Sequence, residues 1–270
     1  EEQTKWLVEN DFNFEADADA ATLAGDVTSL HTTIGNLNAA LAEKGSELRV
    51  HVRISPNAEV MALGAKIVSA LESMSCRTFS VLTSCDGQLS PEPDSFAAFY
   101  TAVLAQTLGS GADLVETTAA EFLTRILSGC EANPTETRSP GSDGIGELSY
   151  GWDGTVYSSN EGRFVGESGD GIFALGNVTR DGYHDLMTHP TIRALVLASV
   201  GDGQPGYSSW VYKPFCGPKP SKNYIDQGSV QGRAADSRNF LNNQLILDEL
   251  FRMLSVGTTQ AKKLESWTLA

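Results

Sequence analysis

The sequence predicts an α/β fold over its first half and an α+β fold over its second, closed by a C-terminal helix. Three observations carry this. Strand-like and helix-like stretches alternate up to residue 83, glycine, serine and aspartate become dense after Ser139, and Asn239–Leu254 is strongly amphipathic. Strands separated by helical crossovers imply parallel pairing, whereas closely spaced turns imply short antiparallel hairpins.

Taken in order, Asp11–Ala16 alternates with period two and predicts a modest strand. Thr33–Lys44 carries a helical stripe of Ile34, Leu37 and Leu41. Glu47–Ile54 is a strong strand with Leu48, Val50, Val52 and Ile54 on one face and His51 on the other. Asn57–Met74 reads as a helix, with Met61, Leu63, Ile67, Val68 and Leu71 inward, and Phe79–Thr83 as an apolar strand. Gly87–Asp94, polar with two prolines, is a loop or linker. Asp94 or Ser95 caps a helix running through Leu108, and Ala119–Leu127 forms another after the short segment Asp113–Thr117. Glu147–Tyr150 and Thr155–Ser158 pair around the tight turn Gly151–Gly154. Asp181–Thr188 and Thr191–Ala198 are helical with Pro190 as the break, Gly201–Gly228 is a long loop, and Asn239–Leu254 is the closing helix. The implied organisation is residues 1–90 as an α/β domain, 91–138 as a helical connector and 139–270 as a second domain.

The chain has 270 residues, 41% of them hydrophobic, enough for one large core or two smaller ones. Its net charge of −15 argues against nucleic acid or an anionic membrane surface as partner, because both require clustered Lys and Arg. No run approaches the ~20 apolar residues of a membrane span. The first residue is Glu rather than Met, which leaves an upstream segment open. The four cysteines, Cys76, Cys85, Cys130 and Cys216, form no CxxC pair. Cys76 and Cys85 bracket a strand and would stand roughly 30 Å apart, beyond disulfide reach. Scattered thiols fit a reducing cytoplasm.

Three blocks carry a resemblance: Ser139–Phe164 (SPGSDGIGELSYGWDGTVYSSNEGRF), Gly169–Val178 (GDGIFALGNV) and Pro205–Gly228 (PGYSSWVYKPFCGPKPSKNYIDQG). Together they resemble the C-terminal half of radical SAM peptide maturases with a SPASM domain, in particular the maturase of the His-Xaa-Ser peptide system. Fainter similarity begins at Phe96–Leu104. The resemblance implies a partial (β/α) radical-SAM-like barrel followed by an α+β SPASM-like module. In that family the cluster ligands are cysteines, because thiolate is the soft ligand that iron–sulfur clusters need. Here the family positions fall on Gly141, Ser159, Tyr207, Trp210 and Lys219, with a later one near Asn239, and only Cys216 remains as a remnant ligand. The CxxxCxxC motif of the SAM-cleaving cluster is absent from these residues. Tyr207, Trp210, Tyr212 and Phe215 are expected to form a small core where a cluster would sit.

Other motifs are weaker. Glu161 and Arg163, with Tyr212, Asn223 and Tyr224, are candidates for contacting a peptide or partner, although Glu161 and Arg163 could equally pair structurally. Arg53 and Ser55 close a strand where superfamily members often contact S-adenosylmethionine, so they mark a vestigial pocket for it. Asp17-Ala18-Asp19 has the form of a DxD metal motif, but two carboxylates arise easily in an acidic segment. His184 and His189, five apart, fall on different helical faces, and His31 and His51 have no nearby ligand set. No nucleophile elbow is present, since Gly166-Glu167-Ser168-Gly169 lacks its spacing. Gly141–Gly146 follows no strong strand, which argues against a phosphate cradle.

The expectation is a cytoplasmic, non-catalytic radical SAM/SPASM-like protein that binds a peptide or partner maturase, with no metal and no cofactor of its own. One alternative is the C-terminal fragment of an active enzyme whose upstream segment supplies the cluster and S-adenosylmethionine site. Another is an unrelated small-ligand-binding or hydrolytic role.

Overall fold

A computed structural model of the protein describes residues 15–25, 28–43, 45, 49–54, 59, 62–83, 91–129, 141, 143–257 and 259–268. The chain divides into two compact units. The first comprises Glu1–Thr83, Pro91–Gly129 and Asp248–Ala270, and the second Ser84–Ser90 and Cys130–Leu247.

The first unit is built on a parallel four-stranded sheet in the order β1 (Glu15–Asp19), β2 (Arg49–Ile54), β3 (Thr78–Thr83), β4 (Val115–Glu116). Register runs Asp19 to Arg53 to Leu82 across the first three strands. Parallel neighbours need crossovers, and helices supply them: α1 (Ala20–Ala24), α2 (Thr28–Ala42), α3 (Gly64–Ser73) and α4 (Pro93–Gly109), while α5 (Thr117–Ser128) follows the last strand. Ile67, Val68 and Leu71 of α3 are buried, as are Phe96, Phe99, Val103 and Leu104 of α4. The two helices approach closely at Gly64, where a Cβ would lie 3.0 Å from the Phe99 carbonyl oxygen. The described part of α3 begins later than the predicted Asn57, and residues 57, 58, 60 and 61 lie outside the description, as do Asp11–Phe14 of the first predicted strand.

Polar side chains close the ends of these elements. His31 Nε2 lies 2.8 Å from the Ser73 carbonyl and Asn38 donates to that of Met74, so α2 satisfies the last carbonyls of α3. Ser75 then turns the chain with φ of 57°, in the left-handed region. Lys263, on the final helix, donates to the carbonyls of Thr107, Ser110 and Ala112 at 2.9, 3.1 and 3.3 Å, covering the C-terminal end of α4.

The second unit holds an antiparallel sheet of β5 (Ser149–Tyr150), β6 (Thr155–Tyr157) and β7 (Ala174–Asn177). The predicted hairpin is present, and the third strand was not foreseen. Its helices are α6 (Asn160–Glu167), α7 (Tyr183–Met187), α8 (Pro190–Ala198) and α9 (Pro220–Gln227). Pro190 is the first residue of α8, where its missing N–H costs nothing. The stretch 201–228 departs from the predicted loop, because its last part is α9. One apolar cluster joins Val156, Leu175, Leu186 and Ile192, and another joins Val165, Phe173 and Leu195. The closing helix is α10 (Arg238–Ser255), and α11 (Thr259–Glu265), unassigned from sequence, buries Ala261 and Leu264 in the first unit.

Candidate functional site

The region that the resemblance marks for clusters is packed protein. Ser159 is the N-cap of α6 and accepts from the Gly162 N–H at 3.0 Å. Gly141 is buried against the following chain, and a Cβ there would lie 2.5 Å from the Pro218 carbonyl oxygen. Tyr207 is fully buried and donates through its hydroxyl to the Cys216 carbonyl at 2.6 Å. Its ring centroid lies 5.9 Å from that of Trp210 and 5.7 Å from that of Phe240. Trp210 meets Phe240 and Tyr212 edge to face, and its indole N–H donates to Gln244 at 3.2 Å. The foreseen aromatic core exists, with Phe240 in addition and Phe215 only half-buried. Cys216 is buried.

Lys219, another of these positions, is buried beside a set of charges. Asp143 accepts from the Ser221 N–H at 2.8 Å. Glu161 lies 3.8 Å from the Lys222 ammonium. Burial and then the Glu161 charge push the Asp143 carboxyl up to about 6, against the Ser221 N–H and Lys219. Burial raises Glu161 as well, but Lys219 and Lys222 outweigh it and hold that carboxyl below its usual value. Two carboxylates and two ammonium groups thus form a buried patch of formal charge zero.

The other sequence candidates are not convergent. Arg163 pairs with Glu167, donates to Asn160 at 3.1 Å and lies 4.4 Å over the Phe164 ring. Tyr224 donates to Asp170 at 2.5 Å and meets Phe173 edge to face; that bond raises its phenol above the usual value. Asn223 is buried against Gly232, whose Cβ would fall 2.6 Å from its side chain. Tyr212 is half-buried against Trp210.

In the first unit, Asp19 caps α1, accepting from Ala21 and Thr22, which accounts for half of the DxD motif; Asp17 is exposed. Arg53, the penultimate residue of β2, is in register with Asp19, and Ser55 lies outside the described residues. At the end of β4 stands Glu116, which sequence reasoning missed. Its buried carboxylate accepts from Tyr100 Oη at 2.5 Å, Ala119 N at 2.6 Å, Val81 N at 3.1 Å and Thr118 N at 3.2 Å. Burial raises its carboxyl despite these donors, and drives the Tyr100 phenol well above its usual value. The only sequence signal was an acidic residue before a helix. His184 is exposed, and His189 caps α8 through Nδ1. Among the described residues no three His, Cys, Asp or Glu side chains gather as metal ligands, and no helix is long and apolar enough to cross a membrane.

No protein-family model and no curated protein sequence matches the chain. Solved structures do. His-tagged anSMEcpe with bound AdoMet, a radical SAM/SPASM-domain anaerobic sulfatase-maturating enzyme, is similar at 12% identity and a TM-score of 0.69, over 98% of this chain and 71% of that one. Native anSMEcpe with bound AdoMet and Kp18Cys peptide is similar at 11% identity and 0.68, over 94% of this chain and 71% of that one. The fold of this chain is therefore radical SAM/SPASM-like.

Proposed function

We propose that this protein is a peptide- or partner-binding radical SAM/SPASM-like protein that carries no catalytic cluster chemistry in the residues described. The carrying observation is the filling of the SPASM cluster-ligand positions, beside the lack of a CxxxCxxC motif in these 270 residues. Gly141 has no room for a Cβ, Ser159 is spent on a helix cap, Tyr207 and Trp210 form a core, and Lys219 brings a cation where a thiolate would be needed. A four-iron cluster takes four protein ligands, and Cys216 alone does not suffice. These residues do not fit the group. Peptide binding is supported by the fold neighbour, whose solved structures include complexes with the Kp18Cys and Cp18Cys peptides. Arg53 and Ser55 remain the proposed vestige of an S-adenosylmethionine pocket; the described carboxylates at the strand ends, Asp19 and Glu116, are engaged in the fold's own hydrogen bonds.

The test is anaerobic purification and reconstitution with iron and sulfide, alongside selection of a displayed peptide library on the full chain. Iron well below one cluster per chain, with recovered binders, is expected. Four irons per chain with charge-transfer absorption overturns the reading.

A second reading rests on coverage, because about 71% of the neighbour's chain is matched. In it the chain is the C-terminal part of an active peptide-modifying enzyme, with the CxxxCxxC cluster and S-adenosylmethionine held upstream. The upstream reading frame decides between the two.

A further inference from the structure

One end of the antiparallel sheet presents Trp152, 95% exposed, at the tip of the β5–β6 turn. So large an apolar ring left in water needs an explanation, since burying it would stabilise the fold. The turn is not loose. Gly151 and Thr155 are joined by a 2.8 Å bond, Gly154 donates to Gly151 at 3.0 Å, and Asp153 accepts from the Thr155 N–H and hydroxyl at 3.0 and 2.9 Å. The adjoining strand locks it further, through Val178 N to the Gly154 carbonyl at 2.9 Å and Asn177 Nδ2 to the Asp153 carbonyl at 3.1 Å. Gly154 adopts φ of +82°, which other residues resist.

Because β7 runs antiparallel to β6, its end at Asn177 reaches the same edge as the turn. Tyr150, paired with Val156, and Val178 are exposed there too. Among the described residues, Asp153 in the turn and Asp181, which accepts from the Asn177 N–H at 2.7 Å, set two carboxylates at this edge against Arg180, whose N–H bonds the Asn177 carbonyl at 3.1 Å. Hydrogen bonds from Thr155 hold Asp153 below the usual carboxylate range, so it stays ionised.

We propose that this edge is the docking surface for a basic peptide segment, with an Arg or Lys of the segment stacked on the Trp152 ring and an adjacent apolar residue against Tyr150 and Val178. An aromatic anchor carried on a turn whose backbone is already ordered loses little backbone entropy on binding and attracts a cation through its ring face. The chain's net charge of −15 steers cationic segments toward it. The inference rests on the peptide-binding reading above and gives it a place and a charge.

The test uses the full chain, labelled with ¹⁵N-tryptophan, and the peptide Ala-Arg-Leu-Arg-Ala with blocked ends against its analogue with Glu for Arg. With the basic peptide, the Trp152 indole signal, assigned by its loss in Trp152→Phe, is expected to shift, and the acidic analogue to leave it still. Trp152→Ala, which removes a side chain the fold hardly touches, is expected to weaken binding by about tenfold or more, and Trp152→Phe by about threefold. Equal binding by wild type and Trp152→Ala overturns this surface while leaving peptide binding intact. Wild-type chain that binds library peptides but not the basic probe overturns the charge assignment. Wild-type chain that binds no peptide at all overturns both readings.

Discussion

Asp143 and Glu161 share one buried patch yet are driven in opposite directions, which makes them separable by pH. The Asp143 carboxyl is raised to about 6, so its contribution to stability is fully present below its unfolded value near 3.8 and is lost as pH rises through about 6. Glu161 is depressed, so its contribution is present above the unfolded value and lost as pH falls through the folded one. Asp143→Asn is expected to flatten the decline between pH 4 and 6, worth about 3 kcal/mol in the wild type at ~1.4 kcal/mol per unit. Urea denaturation across that range measures it. Ser75 offers a second test at this scale. It takes φ of 57° without being glycine, so Ser75→Gly is expected to stabilise by about 0.5–1 kcal/mol, read from the same curves.

At the scale of elements, Glu116 explains why β4 is two residues long. Its carboxylate takes the Val81 N–H in place of a further ladder bond with β3, and at the same time caps α5. Glu116→Ala leaves several buried donors unsatisfied and is expected to cost about 3 kcal/mol or more in thermal unfolding. Glu116→Gln, which keeps acceptors, is expected to cost less. Lys263 acts likewise on α4. Replacing it by Met removes three charge-assisted bonds at a helix C-terminus, with an expected loss of about 1.5–3 kcal/mol and a Tm lowered by several degrees.

Elements with clear periodicity, such as Pro93–Gly109 and Arg238–Ser255, were legible in the sequence to within a residue or two. Those missed were short, and several were glycine-marked. α6 carries Gly162 and Gly166, which look like helix breakers. They are there because a Cβ at Gly162 would strike the Phe173 side chain at 2.8 Å and Gly166 abuts Tyr157. α9 begins on Pro220 and is stopped by Gly228 in the left-handed region, a start and stop that prolines and glycines elsewhere in that stretch masked. The aromatic core around Tyr207 was foreseen from residue types. The charge patch was not, since Asp143, Glu161, Lys219 and Lys222 meet only after α6 and α9 have folded together.

For the whole molecule, a fold in which the positions that the resemblance marks for clusters are filled by side chains is expected to be indifferent to metal. Dialysis against EDTA is expected to leave Tm unchanged within about 1 °C, whereas a metal-stapled domain would melt far lower. Gly141→Cys, offered as a restored ligand, is expected to destabilise by about 1–3 kcal/mol through its contact with the Pro218 carbonyl, and to recruit no iron.

The tether from Lys263 back to residues 107–112 bears on how the chain is made. The first unit needs Asp248–Ala270 for completion, while the second lies wholly between its parts. On a ribosome, the second unit has every residue it needs while the first still waits for Asp248–Ala270. Truncation after residue 257 is therefore expected to release protease sites within 93–129, far along the sequence from the deletion. Nascent chains held short of that point would present a finished insert on an unfinished host.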